Sequence, residues 1–171
     1  KGQHHVRTMH GAVEDKFFRR LPDEDRGETR KVNDISNDDF IVGFVFRNQL
    51  RKSVPNLIEG FSLFKKGNGK AKNAKLLLHT HFAEGWNIQK LAGEYGLPMT
   101  DILTTYVCQE CKSYEVKNFT GENRPCSNCG AKKSLVTTNI NVGVSEEQLN
   151  QVYNLMDVYC HPFTSGGQEF P

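Results

Sequence analysis

The stretch Phe40-Ile-Val-Gly-Phe-Val-Phe46, followed by Arg47-Asn-Gln-Leu-Arg-Lys52, decides how the rest of the chain is interpreted. The first part is β-branched and aromatic, and it is apolar at nearly every position. A continuous apolar run between polar residues favours a strand buried on both faces, as in a parallel sheet. Ligands of such sheets bind at the carboxyl ends of the strands. The basic segment that leaves this strand is therefore a candidate for contacts with a ligand.

Alternating strand and helix patterns continue from this strand toward the carboxyl end of the chain. Helices are predicted over residues 55–66, 88–95 and 146–156, and further strands or extended segments over 74–79, 102–107, 135–142 and 157–161. This order predicts an α/β domain with a Rossmann-like parallel sheet and flanking helices. The residues before Phe40 are highly charged, and we expect them to form an irregular lead-in with an apolar anchor at Phe17-Phe18.

Composition excludes several classes of protein. The 171 residues carry 22 Lys and Arg against 20 Asp and Glu, and a net charge of +2 gives no global field for nucleic acid. No apolar run approaches the roughly 18 residues of a membrane span, and nothing near Lys1 resembles a signal peptide. We expect a cytoplasmic protein without a membrane span. The start at Lys1 without Met and the stop at Pro171 suggest a fragment.

The cysteines give the most specific local signal. Cys108-Gln-Glu-Cys111 and Cys126-Ser-Asn-Cys129 are two C-x-x-C pairs with 14 residues between them. Two such pairs predict a structural Zn²⁺ site with four thiolate ligands, in a zinc-ribbon insertion over residues 108–133. Redox chemistry is the alternative for a C-x-x-C pair, although one pair would suffice for it. Cys160 lies in an apolar segment and is interpreted as a small buried residue.

Two segments are candidates for handling phosphate. Arg47 and Lys52 lie at a strand end beside a predicted helix start, which suits a diphosphate. The alternative for these residues is a solvated basic loop, and Arg51 is assigned to it. The closing segment His161-Pro-Phe-Thr-Ser-Gly-Gly-Gln-Glu169 also follows a strand, and its paired glycines would allow backbone N–H groups to approach a ligand. An ordinary loop is the alternative there.

In order and spacing, three segments resemble the C-terminal, donor-binding half of GT-B fold glycosyltransferases of the glycogen-synthase-like group 1 type. Met9-His-Gly-Ala-Val-Glu-Asp-Lys-Phe17 resembles the P-x-G-V-D-x-x-x-F entry to that half. The segment from Phe44 through Arg47 to Lys52 resembles the G-R-x-x-x-x-K strand and loop. The segment from Ser145 to Pro162 resembles S-x-x-E-L-x-x-x-Y-x-x-A-D-V-x-x-x-P-S.

The resemblance implies that residues 1–107 and 134–171 form a truncated domain that binds a nucleotide-diphospho-sugar. Arg47 and Lys52 would neutralise the diphosphate, and the donor-contacting loop would include Gly166, Gly167, Gln168 and Glu169. The first Glu of the family's E-G-F-G-x-P-x-x-E loop falls on Gly166, so the role of Glu169 does not carry over directly. A retaining hexosyl transfer, independent of metal, would also need an N-terminal acceptor-binding half. The chain alone is expected to be inactive, and no catalytic residue is assigned.

A different class of function is a zinc-ribbon module that binds nucleic acid or protein on a non-catalytic Rossmann-like scaffold. Residues 87–97 followed by 99–102 resemble a helix-turn-helix, but few Lys or Arg side chains are placed to meet phosphates. The pair His79 and His81 could bind a metal at a strand end, yet no third ligand is evident nearby. Polar residues are common at strand ends, which favours an ordinary role for both.

Overall fold

A six-stranded sheet, parallel over most of its width, forms the centre of the part of the chain that the structure describes. The computed structural model describes residues 14–67 and 69–162, with the side chain of residue 70 excepted. The helices and strands in chain order are α1 (Asp23–Val32), β1 (Phe40–Val45), α2 (Val54–Gly67), β2 (Ala74–His79), α3 (Ile88–Glu94), β3 (Ile102–Cys108), β4 (Tyr114–Asn118), β5 (Leu135–Thr137), α4 (Glu146–Leu155) and β6 (Val158–Tyr159).

The strand order changes direction at one point of the sheet. The order is β4-β3-β2-β1-β6; β1, β2, β3 and β6 run parallel, while β4 and β5 pair antiparallel with β3. The chain proceeds from β1 to β2 and β3 on one side, and then returns through α4 to place β6 on the other side of β1. The carboxyl ends of β1 and β6 therefore flank a topological switch point, where open α/β sheets bind their ligands.

Helices cover both faces of the sheet, so the predicted burial of β1 on two faces is confirmed. Phe44 lies in the cluster formed with α2 and α3, and Ile41 lies in the cluster that includes α4. Both side chains have 0% exposure. Residues 54–67, 88–94 and 146–155 confirm the three predicted helices to within two residues at each end. The described helices include none that is long and apolar enough to cross a membrane.

The expectation of an irregular lead-in is wrong for part of the first forty residues, because α1 forms there. Acidic residues in its first turn and basic residues in its last turn complement the helix dipole. Its one buried residue is Arg30, which lies beside Asp157 with 3.5 Å between Nη1 and Oδ2. Arg26 also pairs with Asp157, with a distance of 2.6 Å between Nη2 and Oδ1. The helix is attached by charge rather than by an apolar stripe, so hydrophobic periodicity did not reveal it.

Two other expectations need correction in their extent. The predicted extended segment 135–142 forms a strand only at Leu135–Thr137, and the last strand is limited to Val158–Tyr159. The second helix of the suspected helix-turn-helix is not formed. Met99–Asp101 makes one short 3₁₀ turn and leads directly into β3.

Candidate functional site

The four paired cysteines come together in two turns of matching geometry. The Lys112 N–H donates to the Cys108 carbonyl at 3.1 Å, and the Gly130 N–H donates to the Cys126 carbonyl at 3.0 Å. Lys112 and Gly130, which directly follow the two C-x-x-C pairs, have positive φ angles of 59° and 73°. Glycine adopts this conformation readily. The C-x-x-C spacing thus folds twice into the same knuckle.

The four sulfur atoms are placed as metal ligands. All four lie within 4.8 Å of one another, with Cys108 and Cys129 separated by 3.7 Å and Cys111 and Cys126 by 3.8 Å. A tetrahedral zinc site with Zn–S bonds of about 2.3 Å has sulfur–sulfur edges of about 3.8 Å. The cluster therefore fits one tetrahedral ion of that size. A metal site with four protein ligands has no open position for a substrate.

Neighbouring donors favour the thiolate form of one ligand. The Asn128 amide lies 3.5 Å from the Cys111 sulfur and the Ser113 hydroxyl lies 3.1 Å from it. These hydrogen bonds, that of Asn128 first, lower the pKa of the exposed Cys111 thiol to about 5. Thiolate is the form that binds metals. Cys160 lies outside this cluster and just after β6, and it is only partly buried against the core, less than predicted. Burial raises the pKa of its thiol.

A cleft of about 280 Å³ lies at the carboxyl ends of β1 and β2. The residues that line it come from the ends of these strands, the loop after β2, the segment after β5 and the start of α4: Phe46, Arg47, His79, His81, Glu84, Thr138, Asn139, Ile140, Gly143, Val144 and Leu149. The cleft thus combines a guanidinium, two imidazoles and a carboxylate with apolar walls. Arg47, which the sequence singled out, lies in it.

Arg47 is held by an acidic residue that sequence reasoning missed. Its Nη2 lies 2.7 Å from Oε1 of Glu84 and its Nε lies 3.3 Å from Oε2, which is a two-pronged ion pair. The hydrogen bond from Arg47 lowers the pKa of the Glu84 carboxyl. Both side chains keep access to solvent, with 51% and 38% exposure. The guanidinium is therefore positioned but partly neutralised, and an incoming anion would compete with Glu84 for it.

The loops that carry Arg47 and Glu84 are fastened together by Asn48, which is 1% exposed. The Asn48 amide donates to the carbonyl oxygens of Glu84 and Trp86, the latter at 2.9 Å, and its Oδ1 accepts from the Trp86 N–H at 3.1 Å. Gly85 lies between them with φ of +63°, and a Cβ there would lie 2.0 Å from the Asn48 carbonyl oxygen. Only glycine fits this approach without a shift. No sequence motif marks Asn48, because its partners are about 37 positions away.

Lys52 occupies a different environment from Arg47. It ends the 3₁₀ turn Leu50–Lys52, one residue away from the start of α2, and is 5% exposed. It is not among the described residues that line the cleft. A buried ammonium requires polar partners to offset its desolvation. The structure therefore makes Lys52 a buried cation beside a helix start, whereas Arg47 faces the cleft.

The two histidines are fixed by threonines. Nδ1 of His79 lies 3.0 Å from the Thr105 hydroxyl, and burial lowers the pKa of His79 to about 4. Nδ1 of His81 lies 3.0 Å from the Thr137 hydroxyl. Among the described residues the four cysteines are the only group of three or more His, Cys, Asp or Glu placed to hold a metal.

Part of the predicted donor site lies outside the described residues. This applies to Gly166, Gly167, Gln168 and Glu169, and to most of the Met9 to Phe17 motif. Neither the scan of protein-family models nor the search of curated proteins finds a match to this chain.

Proposed function

We propose that this chain is the donor-binding part of a GT-B fold glycosyltransferase and that its strand-end cleft binds a nucleotide-diphospho-sugar. A separate acceptor-binding half would complete the enzyme. The single observation that carries the proposal is the position of Arg47, which lies in a cleft at the carboxyl ends of β1 and β2, one strand from β6 and the switch point. The motif order described above supports the same assignment. The proposal gives Lys52 the supporting role of a second cation near the start of α2.

The chemistry of the cleft suits the leaving group of a glycosyl transfer. Negative charge builds on the diphosphate as the glycosidic bond breaks. The Arg47 guanidinium is already held at the cleft by Glu84, and it would exchange part of that ion pair for the diphosphate as the charge develops. Such a cation acts more strongly on the transition state than on the ground state. The apolar walls at Phe46, Ile140 and Leu149 would receive the less polar parts of the donor.

We further propose that the four cysteines hold one Zn²⁺ ion, which stabilises the insertion and takes no part in the reaction. The sulfur–sulfur distances and the paired knuckle turns support this choice of ion. A closed set of four thiolates leaves no position for a substrate.

Calorimetric titration of the full chain with UDP and ADP, together with two substitutions of opposite expected sign, tests the donor site. Arg47→Ala removes the guanidinium and should weaken binding by about tenfold or more. Glu84→Gln removes the competing carboxylate and should strengthen binding roughly two- to fivefold. Lys31→Ala is the matched control, because Lys31 lies 79% exposed in the last turn of α1, which leads into the opposite end of β1.

The outcomes separate cleanly. Loss of affinity in Arg47→Ala, gain in Glu84→Gln and no change in Lys31→Ala would support the donor site. A chain that binds neither nucleotide, or binds it equally well without the Arg47 guanidinium, would contradict it. Equal loss in Arg47→Ala and Lys31→Ala would indicate general charge attraction instead of a site.

A further inference from the structure

A three-residue hydrogen-bond chain connects the cysteine-bounded insertion to the cleft. The Thr137 hydroxyl donates to Oε1 of Glu122, and the Thr137 N–H donates to Oε2 of Glu122 at 2.7 Å. The same hydroxyl lies 3.0 Å from Nδ1 of His81. Glu122 belongs to the segment between the two knuckles, Thr137 ends β5, and His81 lines the cleft.

The hydrogen bonds that the Thr137 hydroxyl already makes determine which tautomer His81 adopts. A hydroxyl has one proton to donate and two lone pairs that accept. The proton goes to Glu122, and one lone pair accepts the Phe82 N–H at 3.1 Å. The remaining lone pair faces Nδ1 of His81, so in this arrangement Nδ1 must carry a hydrogen and act as the donor. In the neutral ring the other nitrogen, Nε2, then carries no hydrogen and is an acceptor.

The Nε2 atom of His81 is available to accept a hydrogen bond in the cleft. The His81 side chain is 25% exposed, and within residues 14–67 and 69–162 its Nε2 has no hydrogen-bond partner. Glu122 lies 3.9 Å from Nδ1 of this ring, and Arg47 and Glu84 line the same cleft. The pKa of the Glu84 carboxyl is lowered chiefly by the hydrogen bond from Arg47 and to a smaller extent by His81. His79, the other imidazole of the cleft, is engaged at its own Nδ1 by Thr105.

We propose that His81 is a ligand-contacting residue whose Nε2 accepts a hydrogen bond from a sugar hydroxyl of the bound nucleotide, and that Thr137 and Glu122 are positioning residues for it. The inference rests on the proposed function, because it places the sugar hydroxyl in the cleft where Arg47 meets the diphosphate. The cleft would then recognise two chemical features of one ligand, an anion and a hydroxyl. The hydroxyl belongs either to the ribose or to the transferred sugar.

The ring form can be measured without any ligand. Long-range ¹H–¹⁵N spectra of the full chain distinguish, in the neutral ring, a hydrogen on Nδ1 from one on Nε2. We expect His81 to carry it on Nδ1 in the wild type and in Thr137→Ser, which keeps the hydroxyl. Thr137→Val removes the acceptor and should shift the population toward the Nε2–H form. A wild-type His81 with its hydrogen on Nε2 would overturn the inference.

Binding of four probes tests the ligand contact with His81→Phe, which keeps a ring of similar size in the cleft. Inorganic diphosphate has no sugar hydroxyl and should bind the variant as it binds the wild type. UDP should bind the variant about fivefold more weakly if the hydroxyl is that of the ribose. If the loss appears only with UDP-glucose or ADP-glucose, the hydroxyl is that of the transferred sugar.

Failure of this inference can be told apart from failure of the proposed function. A wild type that binds no nucleotide overturns the proposed function, and the sugar contact falls with it. A wild type that binds UDP or the nucleotide sugars, together with a His81→Phe variant that binds them equally well, overturns the role of His81 alone. An equal loss for diphosphate and nucleotide also overturns it, because the substitution would then have disturbed the anion site.

Discussion

Replacing Gly85 by alanine should loosen the rim of the cleft and destabilise the chain by about 3 kcal/mol. The φ angle of +63° costs a residue with a Cβ about 1 kcal/mol. The new Cβ would also lie 2.0 Å from the carbonyl oxygen and 2.7 Å from the carbonyl carbon of Asn48, so one loop must move. That movement weakens the three hydrogen bonds of the buried Asn48 side chain, each worth about 1 kcal/mol.

Urea denaturation followed by circular dichroism measures this loss as a lower free energy of unfolding. Gly60→Ala is the matched control, since a Cβ at Gly60 meets no atom within 4 Å in the interior of α2. Alanine is favoured over glycine there by about 0.5–1 kcal/mol, so the control should be slightly stabilised. A Gly85→Ala chain that unfolds at the wild-type urea concentration would refute the claim that Asn48 and Gly85 hold the two loops in fixed contact.

Three further substitutions test separate parts of the structure. Metal analysis by plasma mass spectrometry should find about one zinc ion per wild-type chain. The Cys111→Ser variant should hold much less zinc, whereas the control Cys160→Ser should hold as much as the wild type. Undiminished zinc in Cys111→Ser would exclude the four-thiolate site. Burial holds the pKa of His79 at about 4, so the unfolded chain binds more protons below about pH 6.5 and stability should fall as the pH drops toward 4. His79→Gln should flatten this acid limb of urea midpoints, and an unchanged limb would show that His79 does not cause it. Asp157→Ala removes the carboxylate that pairs with the buried Arg30 and should lower the free energy of unfolding by on the order of 3 kcal/mol. Asp157→Asn keeps an oxygen that accepts the Ile41 N–H, so it should lower the free energy of unfolding by less in the same urea assay.

The elements that were predicted well are those whose signals lie within a short stretch of the sequence. The apolar run of β1 and the capping box at Ser145, whose side chain accepts from the Gln148 N–H, are encoded within a few residues. The two C-x-x-C pairs are equally local signals, because each pair folds within a single turn of the chain. Hydrophobic periodicity and turn chemistry suffice for features of this kind.

The features that sequence analysis missed depend on charged or polar contacts between distant segments. α1 is attached through Arg26 and Arg30 to Asp157, more than 120 positions along the chain. Glu84 meets Arg47 across 37 positions. Such contacts produce no periodic pattern in the sequence, because at least one residue of each pair lies in a segment that looks like an ordinary polar loop. The sequence therefore revealed the cation of the cleft without the carboxylate that holds it.

The strand β3 joins the cysteine centre to the cleft, and this connection argues against regarding the insertion as a separate attachment. Cys108, one of the four clustered cysteines, ends β3, while Thr105, three positions earlier, contacts the ring of His79. Tyr106, between them, accepts the Thr120 N–H and donates to the Gly121 carbonyl, directly before Glu122. The segment between the knuckles is thereby anchored to the sheet next to the carboxylate that orients His81 through Thr137. The metal ion that we propose for these cysteines would stabilise the segment that shapes the cleft, and it would thereby influence ligand binding without taking part in the chemistry.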